Sequence, residues 1–396
     1  MAGIRGRVLL AWEAGSGRGH IVTLKTIAEA LGDRFVFDAA LCRMQHAGEL
    51  RPLCELVFPS AFLSLRNSNR RAPGSPRTAT WADFLGDLGF GDAVFLSRQI
   101  GWWTEALRSR QSSLLIGDFA PCALLAAKAL GIPAVATGTG YSVPPPSLDA
   151  FPPLLPEHAQ RLHAESAMVA ALNTAGSEHG LPPITRFAEL YDCSAQLART
   201  IPMLDPYFVR RTEPLLPPLN DLAARAGGGD EVFIYFSTDE RDDPALMQAV
   251  GDLELPVRLY MPAIPAALAA QLAARGVIIE PAPLPLAEIG RHTRLMVHAG
   301  QHGSLCMALG LGVPQVAFPR HLEHLYHARR AAELGTVTVV SRHERDPAVI
   351  AAAIRARYED ATAARRAADL AEVLAPRLSG DIPALVRDRL LPLLEA

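Results

Sequence analysis

No run of about 18 consecutive apolar residues occurs in this sequence, so nothing in it is long and hydrophobic enough to cross a bilayer as a helix. Its first residues carry no charged leader followed by an apolar core and a cleavage site. Neither export nor a membrane span is expected, and the chain reads as cytoplasmic. Long Lys/Arg runs are missing and the formal charge is only -3, which argues against nucleic acid as a partner and for small molecules. Cysteine is scarce. The five present (Cys42, Cys54, Cys122, Cys193 and Cys306) form an odd set without CxxC spacing, as expected of free thiols in a reducing compartment. The acidic stretch 239–243 contains no D-x-D and reads as a solvated loop capping the next helix. His321, His324 and His327 lack the fuller ligand set and ordered spacing of a zinc site, so no metal is expected.

What the sequence does have is length and apolar patterning. A chain of 396 residues, 49% of them hydrophobic, exceeds one ordinary core and fits two domains of ~150 to 200 residues. Short apolar runs that read as buried strands recur at 7–12, 35–41, 113–117, 134–136 and 198–201, and again at 231–236, 257–260, 277–280, 295–297, 315–318 and 337–340. Helical patterns separate most of them, which is the pattern of doubly wound parallel sheets. Pro214, Pro217, Pro218 and Gly227-Gly228-Gly229 mark the connection, placing the boundary near residue 225, with domains 1–225 and 226–396. Residues 45–91, broken by Pro52, Pro59, Pro73, Gly74 and Pro76 with a polar run at 66–71, read as helices and loops. Trp102 and Trp103 fall on a helix near 100–107 in a packing role, and 157–176 looks helical.

Two glycine turns stand at strand ends. The first, Gly15-Ser16-Gly17-Arg18-Gly19-His20, follows the opening strand and lacks the third glycine of GxGxxG, which counts against a dinucleotide site. The second, His298-Ala299-Gly300-Gln301-His302-Gly303-Ser304, lies between a strand and a helix. The first N–H groups of that helix have no partner within it and carry the positive end of its dipole, so they suit a phosphate. Gly300 and Gly303 allow close approach to the main chain, and Ser304 and His298 supply side-chain donors. An ordinary glycine turn of a parallel sheet is the alternative.

With Gly312-Val313-Pro314-Gln315, Pro319 and Glu323-His324 before Ala328, the stretch 295–335 resembles the donor-binding signature of the UDP-glycosyltransferase superfamily with the GT-B fold. The resemblance, to bacterial nucleotide-sugar-dependent members, covers about forty residues of the signature. It implies two Rossmann-like domains facing each other across a cleft, with His298, Gly300, Gly303 and Ser304 at the donor diphosphate, Glu323 and His324 at the donor sugar, and His302, bulkier with Gln301 than the family's usual small residues, on the donor side as well. His324 stands where the family has Gln, and His327 where it has Asn. Ser237 ends the strand where relatives carry Gly-Ser near the phosphates. Pro281-Ala282-Pro283 falls where many have a base-stacking Trp, which leaves Ala282 beside the base.

Gly19-His20 matches the G-H pair that opens the first helix in that superfamily, where the His is the general base. A His at a helix N-terminus is held neutral by the dipole and so is able to accept a proton. Asp118, at the end of the strand near 113–117, matches the Asp that orients this His; the alternative for each is a loop or helix cap. Gly17, Gly19 and Tyr141, the last before the stiff Pro144-Pro145-Pro146 segment, are expected on the acceptor side.

The implied activity is an inverting, metal-independent transfer from a UDP- or dTDP-linked sugar to a small-molecule, lipid or peptide hydroxyl. No cofactor is expected beyond that co-substrate. A sugar-nucleotide epimerase of the same fold and a non-catalytic nucleotide-sugar-binding helper protein are the rivals. The last helix, near 382–394, is expected to cross back onto the first domain, and no oligomeric state follows from the sequence.

Overall fold

The computed structural model describes residues 6–15, 17–66, 78–157, 161–221, 229–237 and 239–395. Ser16, most of the polar run 66–71, Pro73, Gly74, Pro76, Gly227, Gly228, Thr238 and the boundary expected near 225 lie outside the described residues. The chain divides into two compact units, Met1–Leu216 with Asp381–Ala396, and Pro217–Gly380.

In the first unit six strands, β1 (Arg7–Trp12), β2 (Val36–Leu41), β3 (Cys54–Pro59), β4 (Leu114–Asp118), β5 (Ala134–Gly138) and β6 (Ala195–Ala198), lie in the order β3-β2-β1-β4-β5-β6. Every neighbouring pair is parallel. The central strands β1 and β4 are apolar almost throughout because helices cover both faces of such a sheet. Those helices include α1 (Gly19–Leu31), α2 (Trp81–Leu85), α3 (Ala93–Ser109), α4 (Pro121–Ala129) and α5 (Glu165–Ser177). Pro121 occupies the first turn of α4, where a missing N–H leaves no bond unmade.

Three expectations are corrected in this unit. Residues 54–59, expected among helices and loops, form the edge strand β3, where a proline at each border marks the ends and does not break the strand. The strand expected at 198–201 is β6, three residues earlier; Arg199 instead makes an isolated bridge to Leu216. The helix expected from 157 begins at Glu165.

The second unit repeats the plan. Its strands are β7 (Glu231–Tyr235), β8 (Val257–Tyr260), β9 (Ile278–Glu280), β10 (Thr293–His298), β11 (Gln315–Ala317) and β12 (Val337–Val339), in the parallel order β12-β11-β10-β7-β8-β9. The helices are α6 (Pro244–Gly251), α7 (Ala266–Ala273), α8 (Leu286–His292), α9 (His302–Leu311), α10 (Leu322–Ala332), α11 (Pro347–Glu359) and α12 (Ala361–Leu378). Gly312 ends α9 in the left-handed conformation, which only glycine adopts freely. The final helix, α13 (Ile382–Glu395), belongs to the first unit, where Arg387 donates to the Ala30 carbonyl at the end of α1.

The stretch 239–243 is not simply solvated: Glu240 and Asp243 are buried. Asp243 caps α6 through the Leu246 N–H while Arg320 and Arg345 each approach its other oxygen at 3.1 Å. A carboxylate so partnered tolerates burial.

In each sheet the strand order reverses once, between β1 and β4 and between β7 and β10. Ligands of open parallel sheets bind beyond the carboxyl ends of the strands at such a point. Both glycine turns sit there.

Candidate active site

At the first reversal point Trp12 and Asp118 are paired in register at the ends of β1 and β4. The loop after β1 turns through Gly15 and Gly17, both at positive φ, and Arg18 is tied to Glu49 by two bonds of 2.7 and 2.8 Å. That anchor sets the start of α1 and delivers His20, its second residue, to the sheet edge. His20 Nδ1 lies 2.9 Å from Asp118 Oδ1. The Asp118 side chain is buried, whereas the His20 ring retains 22% exposure.

Aromatic rings fix the imidazole plane. Trp12 stacks on it at 4.8 Å and Phe119 stands 6.3 Å away. Phe119 holds a φ of +48°, strained for a non-glycine residue. On the other side, a Cβ at Gly15 would sit 2.8 Å from His20 Nε2, so this position beside the ring requires glycine. An Nδ1–H donating to the carboxylate leaves Nε2 in the accepting form.

Beside this pair, and without any signal in the sequence, lies Glu13. Its carboxyl group is wholly buried and accepts the Cys122 N–H at 3.0 Å and the Ala123 N–H at 2.7 Å, at the start of α4. Burial pushes its carboxyl up to about 8, against the pull of those two bonds.

At the second reversal point β10 runs into Ala299, Gly300 at φ +83° and then α9. His298 is fully enclosed. Its Nδ1 accepts the Gly300 N–H at 2.9 Å and its Nε2 lies 2.8 Å from Gln315 Oε1, an assignment that puts the proton on Nε2. Burial lowers its pKa to about 4. Gln301 accepts the Ala299 N–H and donates to Ser237 Oγ at 3.1 Å, linking the ends of β10 and β7.

The turn rests on α10. A Cβ on Gly300 would stand 2.8 Å from the His324 carbonyl, and His302 packs edge-on against His327 at 4.8 Å. What this leaves outward is the N-terminus of α9, with Gly303 exposed and nothing within 4 Å of where its Cβ would be. Unpaired N–H groups at a helix start of this kind are able to receive an anion.

Residues 245–391 match the family model described as Erythromycin biosynthesis protein CIII-like, C-terminal domain. No curated protein matches the chain. Among solved structures the calicheamicin glycosyltransferase CalG4 is 17% identical with a TM-score of 0.67, covering 99% of this chain and 98% of its own. Glycosyltransferase VinC in complex with DTDP is 19% identical with a TM-score of 0.63, over 98% and 99%. The spinosyn rhamnosyltransferase SpnG, solved with spinosyn aglycone and with thymidine diphosphate, is 18% identical with a TM-score of 0.63, over 98% and 100%. Residues 245–391 are thus similar to an EryCIII-like C-terminal domain, and the chain has the GT-B fold.

Within that GT-B fold, the residues expected at the donor divide into two groups. Ser237, Ala282, Gly303 and Glu323 reach the surface at least in part, whereas His298, Gly300, His302, Ser304 and His324 are buried. His298 is therefore corrected from a phosphate contact to a scaffold of the turn, because both its ring nitrogens are already engaged. The His302 ring lies within 3.9 Å of the Cys306 sulfur, under the helix and not over it. His324 is likewise turned inward, its ring 3.6 Å from that of His321 and its Nδ1 without a hydrogen-bond partner among the described residues.

On the first unit, Gly17 and Gly19 line the loop before His20, but Tyr141 is corrected: it is buried edge-on against Trp81 at 5.0 Å and presents no surface to an acceptor. Trp12, Glu13 and Phe119 were not singled out from the sequence, and Gln301 and Gln315 were named there only as parts of the turn and the signature. No role was given to either.

Proposed function

We propose that this GT-B protein is an inverting glycosyltransferase that moves a sugar from a pyrimidine nucleoside diphosphate, UDP- or dTDP-linked, to an acceptor hydroxyl. The observation that carries the reading is the 2.9 Å contact of His20 Nδ1 with a buried Asp118 at the reversal point of the first sheet. His20 Nε2 takes the proton from the acceptor hydroxyl, the oxygen attacks the anomeric carbon, and the bond from that carbon to the diphosphate oxygen breaks, with inversion. Asp118 holds the tautomer and stabilises the imidazolium.

The backbone N–H groups that open α9, with Ser304 in the first turn, receive the diphosphate and its charge as it leaves, which makes a divalent metal unnecessary. Glu323, half-exposed at the start of α10, serves the donor sugar, and Ala282 flanks the base. Thymidine diphosphate in the SpnG and VinC structures favours dTDP, and the spinosyn aglycone in SpnG favours a small-molecule acceptor. The protein acts in the cytoplasm; its five free thiols suit a reducing compartment, and among the described residues no helix is long and apolar enough to cross a membrane.

UDP-glucose and dTDP-glucose are the first donors to screen, by thermal shift and then by turnover against polyketide, phenolic and sugar hydroxyls. On a turned-over pair, His20→Ala should lower kcat by ~10²-fold or more with donor affinity nearly unchanged. Asp118→Asn should act in the same direction. Wild-type rates in both variants would remove His20 as the base, and donor binding without turnover across the panel would favour a helper protein.

A further inference from the structure

Glu13 is a buried acid that the proposed reaction does not use, yet its N–H and its side chain both bond to the segment that follows Asp118. It directly follows Trp12, whose ring stacks on His20. Its N–H donates to the Phe119 carbonyl at 3.3 Å, next to Asp118, and its carbonyl accepts the Leu63 N–H at 2.9 Å. Its two carboxyl oxygens take one N–H each from Cys122 and Ala123 in the first turn of α4, the helix that β4 enters just after Asp118.

Those two N–H groups belong to the set that a helix cannot satisfy by itself. Water or a serine hydroxyl would satisfy them without linking anything. A carboxyl group reaching in from the neighbouring strand satisfies them and at the same time fixes the distance between the end of β1 and the start of α4. The His20 ring hangs from the first of these through Trp12 and the glycine loop; Asp118 hangs from the second. With its pKa raised to about 8 the group is largely protonated at neutral pH, and burying even a neutral carboxyl group on backbone donors is a costly way to cap a helix. Capping alone does not account for it.

We infer that Glu13 is a positioning residue for the proposed base, bracing β1 against α4 so that Asp118 holds His20 in the tautomer with Nε2 able to accept a proton. The inference rests on the His20–Asp118 reading and extends it.

The test needs no substrate. In the full chain with ¹⁵N-labelled histidine, the ring signals of His20, identified by their loss in His20→Ala, report which nitrogen carries the proton. In the wild type the proton should sit on Nδ1. Asp118→Asn is the control: if it leaves the His20 tautomer unchanged, the dyad reading itself is wrong and the inference falls with it. Glu13→Gln keeps size but sets an NH₂ against one of the two N–H donors, and it should shift His20 toward the Nε2–H form common in free imidazole. Should Glu13→Gln not fold, Glu13→Asp, which keeps both acceptors on a shorter stem, is read in the same way. A Glu13 variant that loses thermal stability while its His20 tautomer matches the wild type would overturn the inference and leave the dyad standing. On turnover, Glu13→Gln should lower kcat ~10-fold with donor KM nearly unchanged, and should add nothing in the His20→Ala background, because groups acting as one unit are not additive. An additive double mutant would show that Glu13 does not work through His20.

Discussion

Protonating His298 should unfasten the glycine turn, and the structure fixes both the direction and the size of the effect. Its Nδ1 must be bare to accept the Gly300 N–H, and the imidazolium has no lone pair to offer. In the unfolded chain this ring titrates as an ordinary histidine near 6.5, whereas burial brings the folded value down to about 4. Between those values the unfolded chain binds more protons. The folded state therefore keeps its full stability above pH 6.5 and loses it as pH falls toward 4. At about 1.4 kcal/mol per unit over this window of about 2.5 units, the loss attributable to His298 is about 3 to 4 kcal/mol. His324 and His327, also buried with lowered pKa values, push the same way, so the difference from a variant isolates the one ring. His298→Asn is suited to this, since its side-chain oxygen can still accept the Gly300 N–H while the group no longer titrates. It leaves Gln315 Oε1 without its donor, at about 1 to 3 kcal/mol at neutral pH. Urea unfolding followed by circular dichroism at steps from pH 7.5 to 4.5 should show the variant less stable at the top of the range and the gap closing or reversing at the bottom. A gap constant across that range would refute the account of His298 as a neutral scaffold.

Gly300→Ala should destabilise the second unit by at least ~1 to 2 kcal/mol from its positive φ alone, and the clash with the His324 carbonyl 2.8 Å away should deform the turn. Calorimetry with dTDP and UDP should then show affinity reduced by an order of magnitude or more; unchanged affinity would place the diphosphate elsewhere. Turnover should survive excess EDTA, and a loss restored by a divalent cation would sink the helix-dipole account of the leaving group.

The sequence by itself determined the doubly wound plan, because parallel strands buried on both faces must be written as short apolar runs, and these stand out at β1, β4, β7 and β10. It also marked both glycine turns and the residues 20 and 118, since positive φ and strand ends leave local signals. Edge strand β3 escaped because an edge needs no apolar face on both sides, and its partly exposed residues look like loop. The direction in which a side chain points was beyond the sequence altogether. His298, His302 and His324 are placed at the donor by their positions in the signature, which carry no information on where a ring points. Only the packing of α9 on α10 and the partner Gln315, 17 residues on, turned them inward. Glu13 left no signal for the same reason: its two bonds reach more than a hundred residues along the chain, to a helix start that only the folded sheet brings beside it.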